Sequence, residues 1–355
     1  MKGKTLAQFS AEHLSAAEEH RLRRENKDLR RQLDLALAAR DIDQRYEDFI
    51  LDCLAHKARP PKWAMRSVKD GARMHQVMPV TNFSDWHLDE NVRPEEVQNK
   101  NKYNREIALA RIKQYFGNVI KICTSYVKGY EYPGIEVVMA GDIFSGTIHD
   151  ELKETNVDKI LGSVVYWLDP MIAGLRLLAD AFGQVHVVVV VGNHGRLTKK
   201  PIAKMRARDN FDWLFAHLLR RELDRMGEKR ISWHIDESHK AIFSVFDTKI
   251  IATHGDECKG GSGIAGMLSP QLIAFSRMKK VYDFDIWMCG HWHTRGAYRN
   301  IRVNGSGVGY NEFAMIRNFD FQLPQQDLFF IAPKRGVIAD WPVFCDYGVP
   351  AEALA

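Results

Sequence analysis

From Thr5 to Leu54 the chain carries no Gly or Pro and is rich in Ala, Leu, Glu and Arg, which predicts a long N-terminal helix over 1–55. Within it Leu22, Asn26, Leu29 and Leu33 alternate spacings of four and three. That is an a/d seam with Asn26 at an a position, a device that favours a parallel two-stranded coiled coil. Ala36 and Arg40 break the register after two heptads, and a stripe resumes at Ile42, Tyr46, Phe49 and Cys53. The pattern leaves two readings, a homodimer paired through this helix or a single helix lying on its own domain. The next stretch, 56–75, contains Arg59-Pro60-Pro61-Lys62 and reads as a basic linker, because paired prolines end a helix and stiffen the chain beyond it.

Beyond the linker, short apolar runs alternate with helical patterns. Strands are expected at Val77–Ser84, Ile135–Ala140, Val185–Val191, Phe284–Cys289 and Ile301–Asn304, with a hairpin at Ala241–Phe246 and Lys249–Thr253 turning at Asp247-Thr248. Helices are expected over Lys100–Lys128, Val157–Phe182 and Asn210–Met226. Alternation early and hairpins late predict an α/β sandwich on mixed sheets, with one domain over 76–320. The segment 321–355 reads as a C-terminal extension packing on it, with a closing strand at Leu328–Ile331 and a basic turn at Pro333-Lys334-Arg335-Gly336.

No apolar run approaches the roughly 20 residues a membrane span needs, no secretory h-region follows Met1, and five widely spaced cysteines form no CxxC pair. A cytoplasmic protein without a membrane partner is expected. Net charge is only +5, but Gly195 to Arg230 holds eleven Lys or Arg against five Asp or Glu, and Lys57 to Arg73 is basic too. Such tracts suit a polyanionic partner, nucleic acid above all, and equally suit solvated helix faces.

The polar residues that carry chemistry stand where the expected strands end. In order they are Asp85-Trp86-His87, Gly141-Asp142, Gly192-Asn193-His194, His254-Gly255-Asp256 and Gly290-His291-Trp292-His293. Ligands of open α/β sheets gather at the carboxyl ends of strands, and five ends each delivering Asp, Asn or His are hard to explain by packing. Imidazole, carboxylate and amide oxygen together suit first-row divalent ions such as Mn, Fe or Zn, and the absence of Cys argues against a structural zinc. Seven such groups exceed what one ion uses, so two divalent metal ions are expected.

This ordered set resembles the calcineurin-like metallophosphoesterase superfamily over roughly Val77 to Ser306. Within it the chain is similar to the branch of DNA-repair nucleases, and the Gly-Asn-His-Gly-Arg run is similar to a phage-type member. The resemblance implies a four-layer α/β/β/α sandwich with mixed sheets. It implies Asp85, His87 and His293 on one metal, Asn193, His254 and His291 on a second, and Asp142 bridging, with Mn²⁺ the leading ion. It further implies phosphoester hydrolysis by a metal-bridging hydroxide, with His194 contacting phosphate and protonating the leaving oxygen. One position departs. Where the family usually has Asp or Glu after the histidine, this chain has Gly195 and then Arg196. Either Asp256 supports His194 instead, or Arg196 stabilises phosphate charge. The basic run Lys199, Lys200, Lys204, Arg206 and Arg208 begins just beyond and is expected to hold a nucleic-acid backbone. A nuclease or phosphodiesterase is therefore expected, with a phosphomonoesterase acting on phosphoproteins or nucleotides as the alternative and a non-catalytic binding module as a third reading. Trp86 and Trp292 are expected to pack beneath the site, and His149, His186, His234 and His239 to be structural.

Overall fold

The computed structural model describes residues 75–258 and 268–346, with 48–56, 59–65 and, nearer the N-terminus, 18, 21, 23–34 and 44. The chain divides into two compact units, Met1–His56 and Lys57–Ala355. In the first unit 23–34 and 48–55 are helical. Asn26, Leu29 and Leu33 are exposed there, while Leu22, Ala36, Arg40, Ile42 and Tyr46 lie outside the described residues. Most of the basic stretch from Lys57 to Arg73 lies outside them as well. Part of the expected linker belongs to the second unit's core: Trp63 packs against the apolar cluster between the sheets, and Phe246 N–H donates to Ala64 O at 2.9 Å.

Among the described residues the strands are β1 (His75–Gln76), β2 (Met78–Phe83), β3 (Tyr130–Glu131), β4 (Ile135–Met139), β5 (Val185–Val189), β6 (Ile231–Ile235), β7 (Lys240–Val245), β8 (Thr248–Thr253), β9 (Ile286–Cys289), β10 (Gly296–Tyr298), β11 (Ile301–Val303), β12 (Gln325–Ala332) and β13 (Gly336–Phe344). Six of them form one sheet in the order β13-β12-β2-β4-β5-β6, in which β2, β4, β5 and β6 are parallel. Five form a second sheet, β10-β11-β9-β8-β7, with β8, β9 and β11 parallel. The β-branched run Val185–Val189 is buried on both faces, as an interior strand of a covered parallel sheet must be.

The two sheets pack face to face. Val80, Val138 and Val188 of the larger sheet meet Phe243, Ile250 and Met288 of the smaller in one cluster, each side chain contributing on the order of 1.5–3 kcal/mol by leaving water. The helices Arg105–Lys121, Ile160–Phe182 and Phe211–Arg225 cover the outer face of the larger sheet. Behind the smaller sheet, Trp287 and Cys289 pack with Ala274, Phe275 and Met278 of the Leu268–Met278 helix. The result is an α/β fold of mixed sheets in helix, sheet, sheet and helix layers. The Ile160–Phe182 helix is long and apolar enough to cross a membrane by length and composition, with 39% of that window buried. Its buried positions, Val164, Trp167, Met171, Leu175 and Leu178, keep the 3.6-residue period of one core-facing side.

The C-terminal segment is more than an extension laid on the domain. Strand β12 pairs antiparallel with β2 and, with β13, completes that edge of the six-stranded sheet. The apolar run Leu328–Ile331 alone suggests one strand; Gly336–Phe344 is hidden in the sequence because Asp340 and Pro342 interrupt its apolar residues. Strand β6 is likewise hidden in the sequence, because Ile231–Ile235 interleaves Ser232 and His234 among its apolar residues.

Candidate metal centre

Because β2, β4 and β5 run parallel in one sheet and β8 and β9 in the other, their carboxyl ends bring five loops together. The backbone of these loops is unusual. Asp85, His87, Asp142, His291 and His293 all have positive φ, between 45° and 70°. Left-handed backbone is uncommon for residues with a Cβ and persists only where the surroundings over-determine it, which is typical of functional loops. The glycines explain part of the packing. A Cβ on Gly192 would lie 2.0 Å from Asp142 Oδ1, and one on Gly290 would lie 2.2 Å from Asp85 Oδ2. Glycine stands before these ligands because the neighbouring carboxylate occupies the space a side chain would need.

The structure brings all seven expected ligands and His194 into one cluster. Three groups of potential donor atoms each fall within 4.8 Å of one another: Asp85, His87 and His293; His87, Asp142 and His194; Asp142, His254 and His291. Asn193 joins the third group, its Oδ1 lying 3.1 Å from His254 Nε2. The donor chemistry itself calls for a cation. His254 Nδ1 is 2.8 Å from Ala140 O, which can only accept, so that nitrogen carries a proton. Its Nε2 then faces Asp142 Oδ2 at 2.9 Å and Asn193 Oδ1 at 3.1 Å, both acceptors. Lone pairs cannot face lone pairs at that distance unless positive charge sits between them, either a proton or a metal ion. His87 Nε2 and His293 Nε2 are 3.1 Å apart, about the separation of two imidazole nitrogens ~2.1 Å from one ion at near-right angles. The residues present fit divalent metal ions.

Electrostatics reflect the same crowding. Burial favours the neutral form of Asp142, yet His254, His194 and His87 around it outweigh burial and hold it well below the usual carboxylate range. His254 shifts the other way: burial disfavours its charge, but Asp142 raises it well above the ordinary value. Asp85 is pushed up to about 6 by burial, against the pull of His254.

Residues that the sequence did not single out hold this cluster. Asp212, buried in the first turn of the Phe211–Arg225 helix, accepts backbone N–H groups of Asp142 (3.1 Å) and Gly192 (2.9 Å) on Oδ2 and of Ile143 (3.2 Å) on Oδ1. One carboxylate thereby ties the Gly-Asp loop to the Gly-Asn-His loop. Burial pushes Asp212 up to about 6, with the Asp142 charge adding to the effect. Glu90 Oε2 lies 3.3 Å from His87 Nδ1 while its Oε1 accepts from Asn311 Nδ2 at 2.8 Å. Behind Asp85, Ser84 Oγ donates to its Oδ2 at 2.5 Å, and Asn304 Nδ2 donates to Ser84 Oγ at 2.8 Å and to Gln326 Oε1 at 2.7 Å. In the sequence Asp212 reads as an ordinary first-turn acid favoured by the helix dipole, and nothing distinguishes Gln326 from a surface residue.

Three expectations about the surroundings are revised. Asp256 does not reach His194, being ion-paired with Arg206. His194 Nδ1 instead donates to Ser145 O at 2.7 Å, a backbone carbonyl taking the orienting role expected of an acid. Arg196 does not present its guanidinium to the cluster: it donates to the carbonyls of Asn193 (2.8 Å), Thr198 (2.9 Å) and Lys199 (3.0 Å), bracing its own loop. Gly195 has a steric cause, since a Cβ there would lie 2.2 Å from Asn210 Oδ1. Of the basic run, Lys199 pairs with Asp150 and Arg208 with Glu237, each at 2.6 Å, so together with Arg206 three of the five are neutralised. Lys200 and Lys204 are exposed and have no acidic partner among the described residues. His149, expected to be structural, stands with its ring centroid 5.7 Å from that of His194. Trp86 and Trp292 are both buried.

No family model matches the chain, and no curated protein matches it. Solved structures do. A Vps29 variant from Entamoeba histolytica gives a TM-score of 0.30 at 12% identity, over 75% of this chain and 99% of that one. A conserved protein from Streptococcus pneumoniae, described as a predicted phosphoesterase, gives 0.27 at 12% identity, over 75% and 98%. Vacuolar protein sorting 29 from Cryptosporidium parvum gives 0.30 at 9% identity, over 76% and 98%. Likenesses this low concern the fold only and carry no weight for activity.

Proposed function

We propose that the chain is a metal-dependent phosphoester hydrolase acting on phosphodiesters, nucleic acid foremost. The observation that carries the reading is the meeting of His254 Nε2 with Asp142 Oδ2 and Asn193 Oδ1, a contact that requires positive charge between them, beside a His87–His293 pair spaced as two ligands of one ion. Asp85, His87 and His293 would hold one ion, Asn193, His254 and His291 another, and Asp142, which belongs to two of the three donor groups, would face both. Divalent ions bound there would lower the pKa of a water and neutralise charge on phosphoryl oxygens.

The chain's own residues supply the rest. Ser145 O fixes the His194 tautomer, leaving Nε2 as the nitrogen with a free lone pair in a ring grouped with Asp142 and His87. Burial brings His194 down to about 4, so at neutral pH the ring is uncharged and Nε2 can take a proton from a water. Passing it to the leaving oxygen then restores the resting state. Arg196 acts through Asn193, whose carbonyl it grips, and not on phosphate directly. Exposed Lys200 and Lys204 would contact a phosphate backbone beyond the scissile bond.

The test is hydrolysis by Mn²⁺-loaded protein of single- and double-stranded DNA, RNA, bis-p-nitrophenyl phosphate and p-nitrophenyl phosphate, beside a His87→Ala control. Diester and nucleic-acid cleavage that is lost in the control is expected. Monoester turnover with intact nucleic acid would overturn the diesterase reading.

A further inference from the structure

Between β11 and β12 the chain carries a run of aromatic side chains beside the metal centre. A small cleft is lined by His293, itself a candidate ligand, and by Tyr310, Phe319, Asp320 and Gln322. Around it the aromatics continue onto the surface in two pairs. The Tyr310 and Phe321 rings lie 5.7 Å apart, and those of Phe313 and Phe319 5.8 Å apart. Phe313 is 53% exposed and Phe321 47%, with Ile316 and Leu323 exposed beside them. Each pair carries a cation. Lys100 Nζ stands 5.6 Å from the Tyr310 centroid and 5.8 Å from that of Phe321, and the Arg317 guanidinium 5.4 Å from Phe313.

Large exposed aromatics cost solvation and need a reason. Packing does not supply one here. The buried member of this segment's short helix is Ala314, and Asn311 caps that helix through Ala314 N–H at 3.0 Å while holding Glu90. The segment is thus tied to His87 through Asn311 and Glu90, and its aromatics are presented at a set distance from the ligands. Flat apolar rings with flanking Lys and Arg make the surface on which unpaired bases stack, the cations accompanying the backbone. A double helix offers no free base faces to such rings.

We propose that Tyr310 to Leu323 is a base-binding platform, on which an unpaired nucleobase of a single-stranded substrate stacks while the adjoining phosphate reaches the His293 side of the metal centre. The proposal rests on the phosphodiesterase reading of that centre for its catalytic meaning, but base binding is measurable without turnover. Asp320 at the cleft offers a hydrogen-bond acceptor to a base edge and, being acidic, disfavours a second phosphate there, while the Gln322 amide is held by the Arg295 backbone N–H at 2.8 Å.

The experiment uses the full chain and fluorescence anisotropy in EDTA, with a labelled twelve-residue oligothymidylate and an abasic strand of the same length and charge. The intact protein is expected to prefer the base-bearing strand by about tenfold, the scale of one or two stacked bases. In Phe321→Ala, and independently in Phe313→Ala, that preference is expected to collapse toward unity. Both side chains are half-exposed, and thermal melts check that the variants remain folded. An intact protein that shows no base preference, or variants that keep it, would overturn the platform and leave the aromatic surface to a protein partner. Hydrolysis of bis-p-nitrophenyl phosphate with Mn²⁺ is run in parallel. Its absence beside base-dependent binding removes the hydrolase reading and not the platform; its presence without base-dependent binding removes the platform alone.

Discussion

Oδ2 of Asp212 accepts the backbone N–H of Gly192 at 2.9 Å, so a helix-borne carboxylate fixes the loop that presents Asn193 and His194. The same oxygen holds the Asp142 N–H at 3.1 Å. The two loops are kept in register by one side chain that acts on their backbone.

Replacing Asp212 with Ala leaves three buried N–H groups without an acceptor, at about 1–3 kcal/mol each. A fall in melting temperature is expected, with Mn²⁺ affinity down about tenfold or more. Asp212→Asn keeps the shape and one acceptor oxygen, and should lie between the two. Calorimetric Mn²⁺ titration of both variants checks this; wild-type affinity in Asp212→Ala would remove its positioning role.

Gly195→Asp introduces the acid that the sequence resemblance led one to expect here, but its Cβ would fall 2.2 Å from Asn210 Oδ1. The substitution is expected to destabilise by about 2 kcal/mol and not to raise turnover. Combined with Asn210→Gly it should cost less than the sum of the two single changes. Denaturant midpoints of the four proteins measure the coupling, and strict additivity would count against the steric explanation.

Glu90→Gln tests the support of His87. Burial works against the Glu90 charge, yet His87 and Asn311 outweigh it and hold the carboxyl below its ordinary value. A Gln amide facing Nδ1 would turn that nitrogen into an acceptor and put the ring proton on Nε2, taking its lone pair away from the metal centre. Metal affinity should drop about tenfold or more while the fold is kept. Calorimetric titration with Mn²⁺ reads the first, and far-ultraviolet circular dichroism the second.

Glu257 gives a pH signature. Burial works to raise its pKa, but Lys240, 3.1 Å away, and the Thr253 hydroxyl bring it down to about 2. A depressed carboxyl contributes stability that is present above its unfolded pKa, near 4.5, and is lost as pH falls toward 2. Lys240→Met should therefore lower stability by about 1–3 kcal/mol at pH 7 and by much less at about pH 2.5. Equal losses at both values, read from urea midpoints, would place the effect of Lys240 elsewhere.

Much of the centre was legible in the sequence because its parts are local. Each ligand lies a few residues past a strand, each strand has an apolar run, and Asp, Asn and His behind Gly have few structural uses in such a place. Thus Asp85, His87, Asp142, Asn193, His254, His291 and His293 could be named together, along with the mixed character of the sheets, though not the order of strands within them. The residues that support them were not legible. Asp212, Glu90, Asn304 and Gln326 are ordinary residues in sequence, and their roles arise from contacts across up to 242 positions. Asp256 and Arg196 were plausible partners for His194 by proximity in the motif; an ion pair with Arg206 and three loop carbonyls claim them instead. Hydrophobic periodicity and glycine placement are local properties, so the residue types at the strand ends could be read along the chain without any knowledge of its packing. Which carboxylate orients which loop is set only in the folded molecule, because hydrogen bonds between distant segments depend on how two sheets and their helices pack.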